Sequence, residues 1–279
     1  MRDIHRTIRV TLAAGTLAVM FGGPAHSADE SAWSEYSRSS VRLIAGANKN
    51  GEAPLRAGVE FKLQPQWKTN WRYPGDSGVP PRFDFSGSEN LKMAKVLYPA
   101  PHVFSDVTGQ TLGYKDSVIL PLQVSAKEPG KPVTLRVTLD YAVCEKLCIP
   151  AQGRAELKLA AGDSSHDVAL GSALARVPRE VAATEAGLSL RRVNNGPKPL
   201  VFVDLAAGAG EPVELIVEGP TPEWALPIPK PAQGAPAGRR HFEFELDGLP
   251  PGVDPKGPFE LTFTVIKGDR PIEVKTHLD

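Results

Sequence analysis

Cysteine is nearly absent from this chain: 279 residues contain only Cys144 and Cys148, four positions apart. Two cysteines alone would hold a metal weakly and would need ligands from elsewhere. Those ligands are scarce. Met93 is the one methionine beyond the N-terminal segment, and His102, His166, His241 and His277 are scattered, so no soft or imidazole cluster for copper or zinc stands out. Net charge is lacking as well, with 32 basic residues balancing 32 acidic ones, which removes the basic excess expected of a nucleic-acid binder. No Ser-His-Asp constellation, Gly-rich phosphate loop or paired-carboxylate site is visible, so hydrolase or nucleotide chemistry has no support. Beyond the N-terminus no apolar run approaches the roughly 20 residues needed to cross a bilayer, and no stable membrane insertion of the mature chain is expected.

What is present is proline and glycine, 27 and 26 residues, with no sustained helical periodicity. Many short strands joined by turns follow, an all-β fold. Arg2, Arg6 and Arg9 precede the apolar run from Val10 to Phe21, and Ala25-His26-Ser27 supplies small residues for cleavage. Residues 1–27 therefore read as a secretory signal peptide, which places the mature protein in an oxidising compartment, the periplasm.

Alternation then marks strands at Ser40–Ile44 and Leu55–Leu63, with Asn50-Gly51 between them as a hairpin signal. An aromatic strand carrying Trp67, Trp71 and Tyr73 runs into a Pro- and Gly-rich loop, residues 74–81. Aromatics at this spacing pack against a sheet, so they are assigned to the core rather than to a substrate platform. Further strands are expected at Val118–Val124, Val133–Val143 and Arg154–Leu159. Past an alanine-rich connection with a short helix near Ala169–Arg176, others follow at Leu200–Leu205, Val213–Val217, His241–Leu246, Phe259–Ile266 and Ile272–Leu278. Two β-sandwiches in tandem result, at residues 29–162 and 187–279, joined by 163–186. Trp224 is expected to pack within a Pro-rich loop of the second.

Both cysteines lie in Tyr141-Ala-Val-Cys-Glu-Lys-Leu-Cys-Ile-Pro150. If they bond, the ring spans five residues, and chain entropy gives so short a loop only about 2 kcal/mol of stabilisation. A bond that constrains so little is a poor staple, which favours a reactive dithiol. Val133, Leu135, Val137, Leu139, Tyr141 and Val143 alternate inward, so Cys144 falls on the opposite, polar face. With Glu145-Lys146-Leu147 as the loop of a hairpin, Cys148 sits across its neck, about 4.5–5.5 Å from Cys144. Lys146 would favour a thiolate and Glu145 would oppose it. Pro150 bars a regular central strand and keeps the approach to Cys148 open. The loop 74–81 is the candidate cover for the sulfurs.

Trp71-Arg-Tyr-Pro-Gly-Asp-Ser-Gly-Val-Pro-Pro81, Tyr98-Pro-Ala-Pro101, Gly113-Tyr114, Leu120-Pro-Leu122 and Val143-Cys-Glu-Lys-Leu-Cys-Ile-Pro150 occur in that order. Together they resemble the periplasmic N-terminal region of DsbD-type thiol:disulfide interchange proteins, and most closely the ScsB branch associated with copper tolerance. The resemblance covers about residues 33–160 and is fainter in the second sandwich. It implies immunoglobulin-like sandwiches and a thiol:disulfide oxidoreductase that needs no cofactor and exchanges electrons with periplasmic thioredoxin-fold proteins. By position, Cys148 matches the cysteine that forms the mixed disulfide and Cys144 the one that resolves it. DsbD itself spaces its cysteines more widely. The family's transmembrane and thioredoxin-like domains have no counterpart in this sequence, so a separate membrane electron donor is expected. Two alternatives remain open: a secreted binding module with a structural disulfide, and a Cu(I) dithiolate binder.

Overall fold

Period-two alternation dominates the sequence, and the backbone follows it. In the computed structural model the residues described are 29–49, 53–75, 78–106, 109–194, 196, 198–208, 210–235 and 237–279. The signal segment and Asn50-Gly51 lie outside them. The first half contains β1 (Ser34–Tyr36), β2 (Ser39–Ala45), β3 (Leu55–Leu63), β4 (Lys68–Gly75), β5 (Arg82–Asp84) and β6 (Leu91–Val96). It continues with β7 (His102–Asp106), β8 (Gly109–Lys115), β9 (Ser117–Ala126), β10 (Val133–Cys144) and β11 (Cys148–Leu159). One sheet has the order β1-β2-β3-β9-β6 and the other β11-β10-β4-β8-β7, with β5 laid against β10.

The inward residues of the two sheets share one core. Val41, Leu43, Val59, Phe61, Leu120 and Leu122 of the first meet Trp71, Leu112, Leu135, Leu139 and Tyr141 of the second. Trp71 and Tyr73 are buried, as their spacing predicts. The motif residues also have mechanical roles: the Tyr114 hydroxyl donates to the Pro99 carbonyl at 2.7 Å, tying β8 to the Pro-rich segment before β7.

Helix α1 (Asp167–Ala175) lies against β9 of the first sandwich. Its Leu170 occupies the space beside Gly58, where a Cβ would stand 2.7 Å from a leucine methyl. The chain then forms β12 (Arg179–Glu180), α2 (Ala183–Ala186), β13 (Ser189–Val193), β14 (Leu200–Ala206) and β15 (Glu214–Glu218). It ends with β16 (Lys230–Ala232), β17 (Arg239–Glu245), β18 (Phe259–Ile266) and β19 (Ile272–Leu278). Their sheets run β12-β19-β18-β15 and β13-β14-β17-β16, facing each other across a second core. The fold is all-β, with two sandwiches. Trp224 packs in the second core, its ring edge-on to Phe259 with centroids 4.9 Å apart.

The two sandwiches touch through β15. Leu215 and Val217 point into their own core while Ile216, between them, packs on the first sandwich with Ile228, so all three are buried. Polar contacts reinforce this patch. Arg72 of β4 is bonded to Glu218 at 2.7 Å and to Glu273 at 2.5 Å, and the Tyr73 hydroxyl donates to the Leu226 carbonyl. Burial works against the Arg72 charge, yet the hydrogen bonds and charges of the two glutamates hold its pKa above the ordinary arginine value. The same burial pushes the neighbouring Tyr98 hydroxyl up to about 12, with the Arg72 charge pulling the other way.

Candidate functional site

Strands β10 and β11 form a hairpin whose register runs unbroken from Val133 opposite Leu159 to Cys144 opposite Cys148. The two sulfurs are bonded, and their Cα atoms stand 4.0 Å apart, closer than a generic hairpin neck suggests. Glu145-Lys146-Leu147 is the loop, closed by the Glu145 N–H donating to the Leu147 carbonyl at 3.2 Å. Pro150 sits within β11 rather than ending it. This is possible because β11 is the edge of its sheet, where a missing N–H breaks no second ladder. Glu145, Lys146, Cys148 and Pro150 are all exposed.

Cys144 is not. The alternation places it on the outer face of its sheet as expected, but that face is covered here, and only 8% of the residue is accessible. The cross-strand partners explain why. Cys144 pairs with Lys68 on β4, Lys68 with Lys115 and Asn70 with Gly113 on β8, and Gly113 with His102 and Thr111 with Phe104 on β7. Paired residues share a face, so Lys68, Asn70, Thr111, His102 and Phe104 lie on the same side as Cys144. Gly113 lies among them without a side chain, its Cα close against the backbone of β4. The result is a hollow of about 40 Å³ beside the disulfide, lined by Lys68, Asn70, Phe104, Thr111 and the hairpin loop. Small-molecule sites enclose about 300–1,000 Å³, so this hollow is too small to hold a substrate. Only the exposed Cys148 edge of the disulfide can be approached, and by a group carried on another surface.

Phe104 is held in place on two sides. The Lys68 ammonium lies 4.8 Å from its ring centroid, and the His102 ring stands edge-on with centroids 6.2 Å apart. The described residues of segment 74–81, expected as a cover for the sulfurs, do not line the hollow; Gly75, Gly78 and Pro80 turn instead towards Glu218 and Trp224 in a cleft of about 470 Å³ at the second sandwich. The segment's link to the site is indirect: the Val79 N–H donates to Asn70 Oδ1 at 3.1 Å, and that oxygen lies 3.9 Å from Cys144 Sγ. Residues 76 and 77 of the segment fall outside those described.

If Phe104 shields the disulfide, Phe104→Ala will raise the rate at which a small thiol such as dithiothreitol reduces it several-fold, with little change in unfolding midpoint. Stopped reduction and alkylation, followed by mass, measures this. An unchanged rate would remove Phe104 from the site.

Phe104 and Asn70 are the residues that reading the sequence misses. A signal for Asn70 exists, since the alternation that sends Trp71 and Tyr73 inward sends Lys68, Asn70 and Arg72 to the other face. Among the described residues no group of three or more His, Cys, Asp or Glu is placed to hold a metal ion, and no helix is long and apolar enough to cross a membrane.

Comparison with known proteins bears on this arrangement directly. Residues 45–160 match the family model described as thiol:disulfide interchange protein DsbD, N-terminal. Over those residues the first sandwich is similar to DsbD-type N-terminal domains. The matched residues run from the end of β2 to just past β11, so they take in the hairpin, β4 and Phe104. The whole arrangement, second sandwich included, is similar to the crystal structure of the N-terminal periplasmic domain of ScsB from Proteus mirabilis. The TM-score is 0.67 at 20% identity, covering 90% of this chain and 98% of that one. That likeness establishes the fold of both sandwiches. Among curated proteins no match is found.

Proposed function

We propose that the protein is a periplasmic thiol:disulfide exchange protein that relays reducing equivalents through Cys144 and Cys148 to or from thioredoxin-fold partners. The observation that carries the reading is the asymmetry of the pair: an exposed Cys148 bonded to a shielded Cys144 at the tip of a hairpin, within a DsbD-type domain. In the reducing direction the Cys148 thiolate attacks a partner disulfide, forms a mixed disulfide and expels one partner thiolate. Cys144 then attacks Cys148 Sγ, re-forms the Cys144–Cys148 bond and releases the second partner thiol. Two electrons leave the chain. Recharging is the same sequence run backwards by a donor dithiol, and a separate membrane protein is the donor this reading calls for.

The surroundings of Cys148 suit a protein partner. Leu147 is 80% exposed and Ile149 38% exposed, so two large apolar side chains flank the reactive sulfur at the hairpin tip. Exposed apolar groups beside an open disulfide offer a docking surface that small polar reductants would not need.

Trapping tests the proposal. The Cys144→Ser variant, expressed with its signal segment in cells with a reducing supply, is expected to accumulate mixed disulfides through Cys148 with thioredoxin-fold proteins. Cys148→Ser should accumulate none on Cys144. Non-reducing electrophoresis and mass spectrometry read the outcome, and absence of any trapped species in Cys144→Ser would overturn the relay.

A further inference from the structure

We infer that Asn70 is a positioning residue that keeps Cys144 in the protonated thiol form when the pair is reduced, so that Cys148 alone carries the attacking thiolate. The inference deepens the relay reading and rests on it for its biological meaning, but its chemistry stands on the site's geometry.

Asn70 is 4% exposed and projects from β4 onto the face that carries Cys144. Its side-chain orientation is fixed by what it meets. Val79 can only donate through its backbone N–H, so the atom 3.1 Å from it must be the amide oxygen, and the usual ambiguity between the amide's two ends does not arise. That same oxygen faces Cys144 Sγ at 3.9 Å. In the disulfide the sulfur has no proton, and the approach is a contact only. Once the bond is reduced, the sulfur acquires a proton and the oxygen becomes its acceptor, at a distance an S–H···O bond spans. A carbonyl-type oxygen stabilises a thiol and repels a thiolate. Burial acts in the same direction, since Cys144 is shielded and charge is disfavoured there.

Cys148 meets neither condition, being exposed at the loop end of β11. The two thiols of the reduced pair are therefore unequal before any partner arrives. The proton on Cys144 leaves in the resolving step: the Cys144–Cys148 bond forms, the bond from Cys148 to the partner breaks, and the departing partner thiolate takes up one proton by way of solvent. Atoms and charge balance without a further reactant. Val79 thus acts on the chemistry from behind, by orienting Asn70.

The test measures thiol ionisation in single-cysteine proteins, from the pH dependence of alkylation by iodoacetamide. In a Cys148→Ser background, Asn70→Ala should lower the Cys144 midpoint by about 0.5–1 pH unit, the equivalent of one lost hydrogen bond. Asn70→Asp should raise it by more than about one unit, because a carboxylate then faces the sulfur. In a Cys144→Ser background the Cys148 midpoint should move by less than a third as much in either variant. A merely structural role would not reverse sign between Ala and Asp. An unmoved Cys144 midpoint, shifts of the same sign, or equal shifts at Cys148 would each overturn the inference. If Asn70→Ala fails to fold, Asn70→Ser, which keeps a small polar group out of reach of the sulfur, replaces it with the same expectation. The assay needs no partner. Its failure would remove Asn70 and leave the relay standing, whereas an empty trap with the expected midpoints would do the opposite.

Discussion

Gly113→Ala is expected to destabilise the first sandwich by roughly 3 kcal/mol or more, at the upper end of what overpacking costs. A Cβ on Gly113 would stand 2.1 Å from the Thr69 carbonyl oxygen and 3.3 Å from the Asn70 Cα. Both are backbone atoms, so no side chain can swing aside. Nor can the strand move. Thr69 is paired with Tyr114 on one side and with Val143 on the other, and its hydroxyl donates to the Ala142 carbonyl at 2.9 Å. Relief would require parting β4 from β8 or from β10, and either breaks the ladder beside the disulfide. Urea unfolding followed by tryptophan fluorescence measures the effect, because Trp33, Trp67 and Trp71 all report on the first sandwich and only Trp224 on the second. The first transition should move to lower urea with an unchanged slope. A midpoint within experimental error of the parent would mean that the β4–β8 spacing relaxes freely. The disulfide should also become more accessible to small thiols, since parting β4 from its neighbours displaces Asn70 beside it.

Much of this arrangement is legible in the sequence, and the reason is periodicity. The alternating run from Val133 to Val143 correctly puts Cys144 on the outer face, and the register it implies carries through the turn to Cys148. Strands β9, β10, β14, β17, β18 and β19 fall where alternation places them for the same reason. What alternation cannot give is the meaning of an outer face. It distinguishes the inside of a sandwich from the outside, whereas the burial of Cys144 comes from neighbouring strands whose order in the sheet is non-local. Strand β8 is hard to see because Gly109 and Gly113 interrupt its pattern, yet Gly113 lines the hollow. Strand β7 reads only as a Pro-flanked edge, so Phe104 passes unnoticed. The loop 74–81 is chosen as a cover on composition alone. Its actual course, from Asn70 towards Glu218, depends on the second sandwich, about which the first half of the sequence says nothing.

That dependence leads to the effect expected at the contact between the sandwiches. Arg72→Met should weaken it by about 3 kcal/mol, the lower end of the cost of removing one partner from a buried ion group. The lower end applies because the Arg72 side chain is 28% exposed, with those of Glu218 and Glu273 at 16% and 14%. The methionine fills the aliphatic part of the site, so what is lost is charge. Glu218 and Glu273 are then left facing each other without a counter-ion, on strands of the same sheet. Neutralising one of them should recover part of the loss, so Arg72→Met/Glu218→Gln is expected to be more stable than Arg72→Met alone. Calorimetry of the two variants gives the comparison, and a double variant no better than the single would show that packing rather than charge is at stake. The consequence reaches the disulfide through β4. Arg72 is two residues from Asn70 on the same face of the same strand, and Val79, which orients Asn70, belongs to the loop that turns towards the second sandwich. Releasing Arg72 should therefore shift the Cys144 ionisation midpoint together with the loss of stability. A variant at the far side of the second sandwich, such as Lys198→Ala, which removes only an exposed pair with Asp247, should change neither.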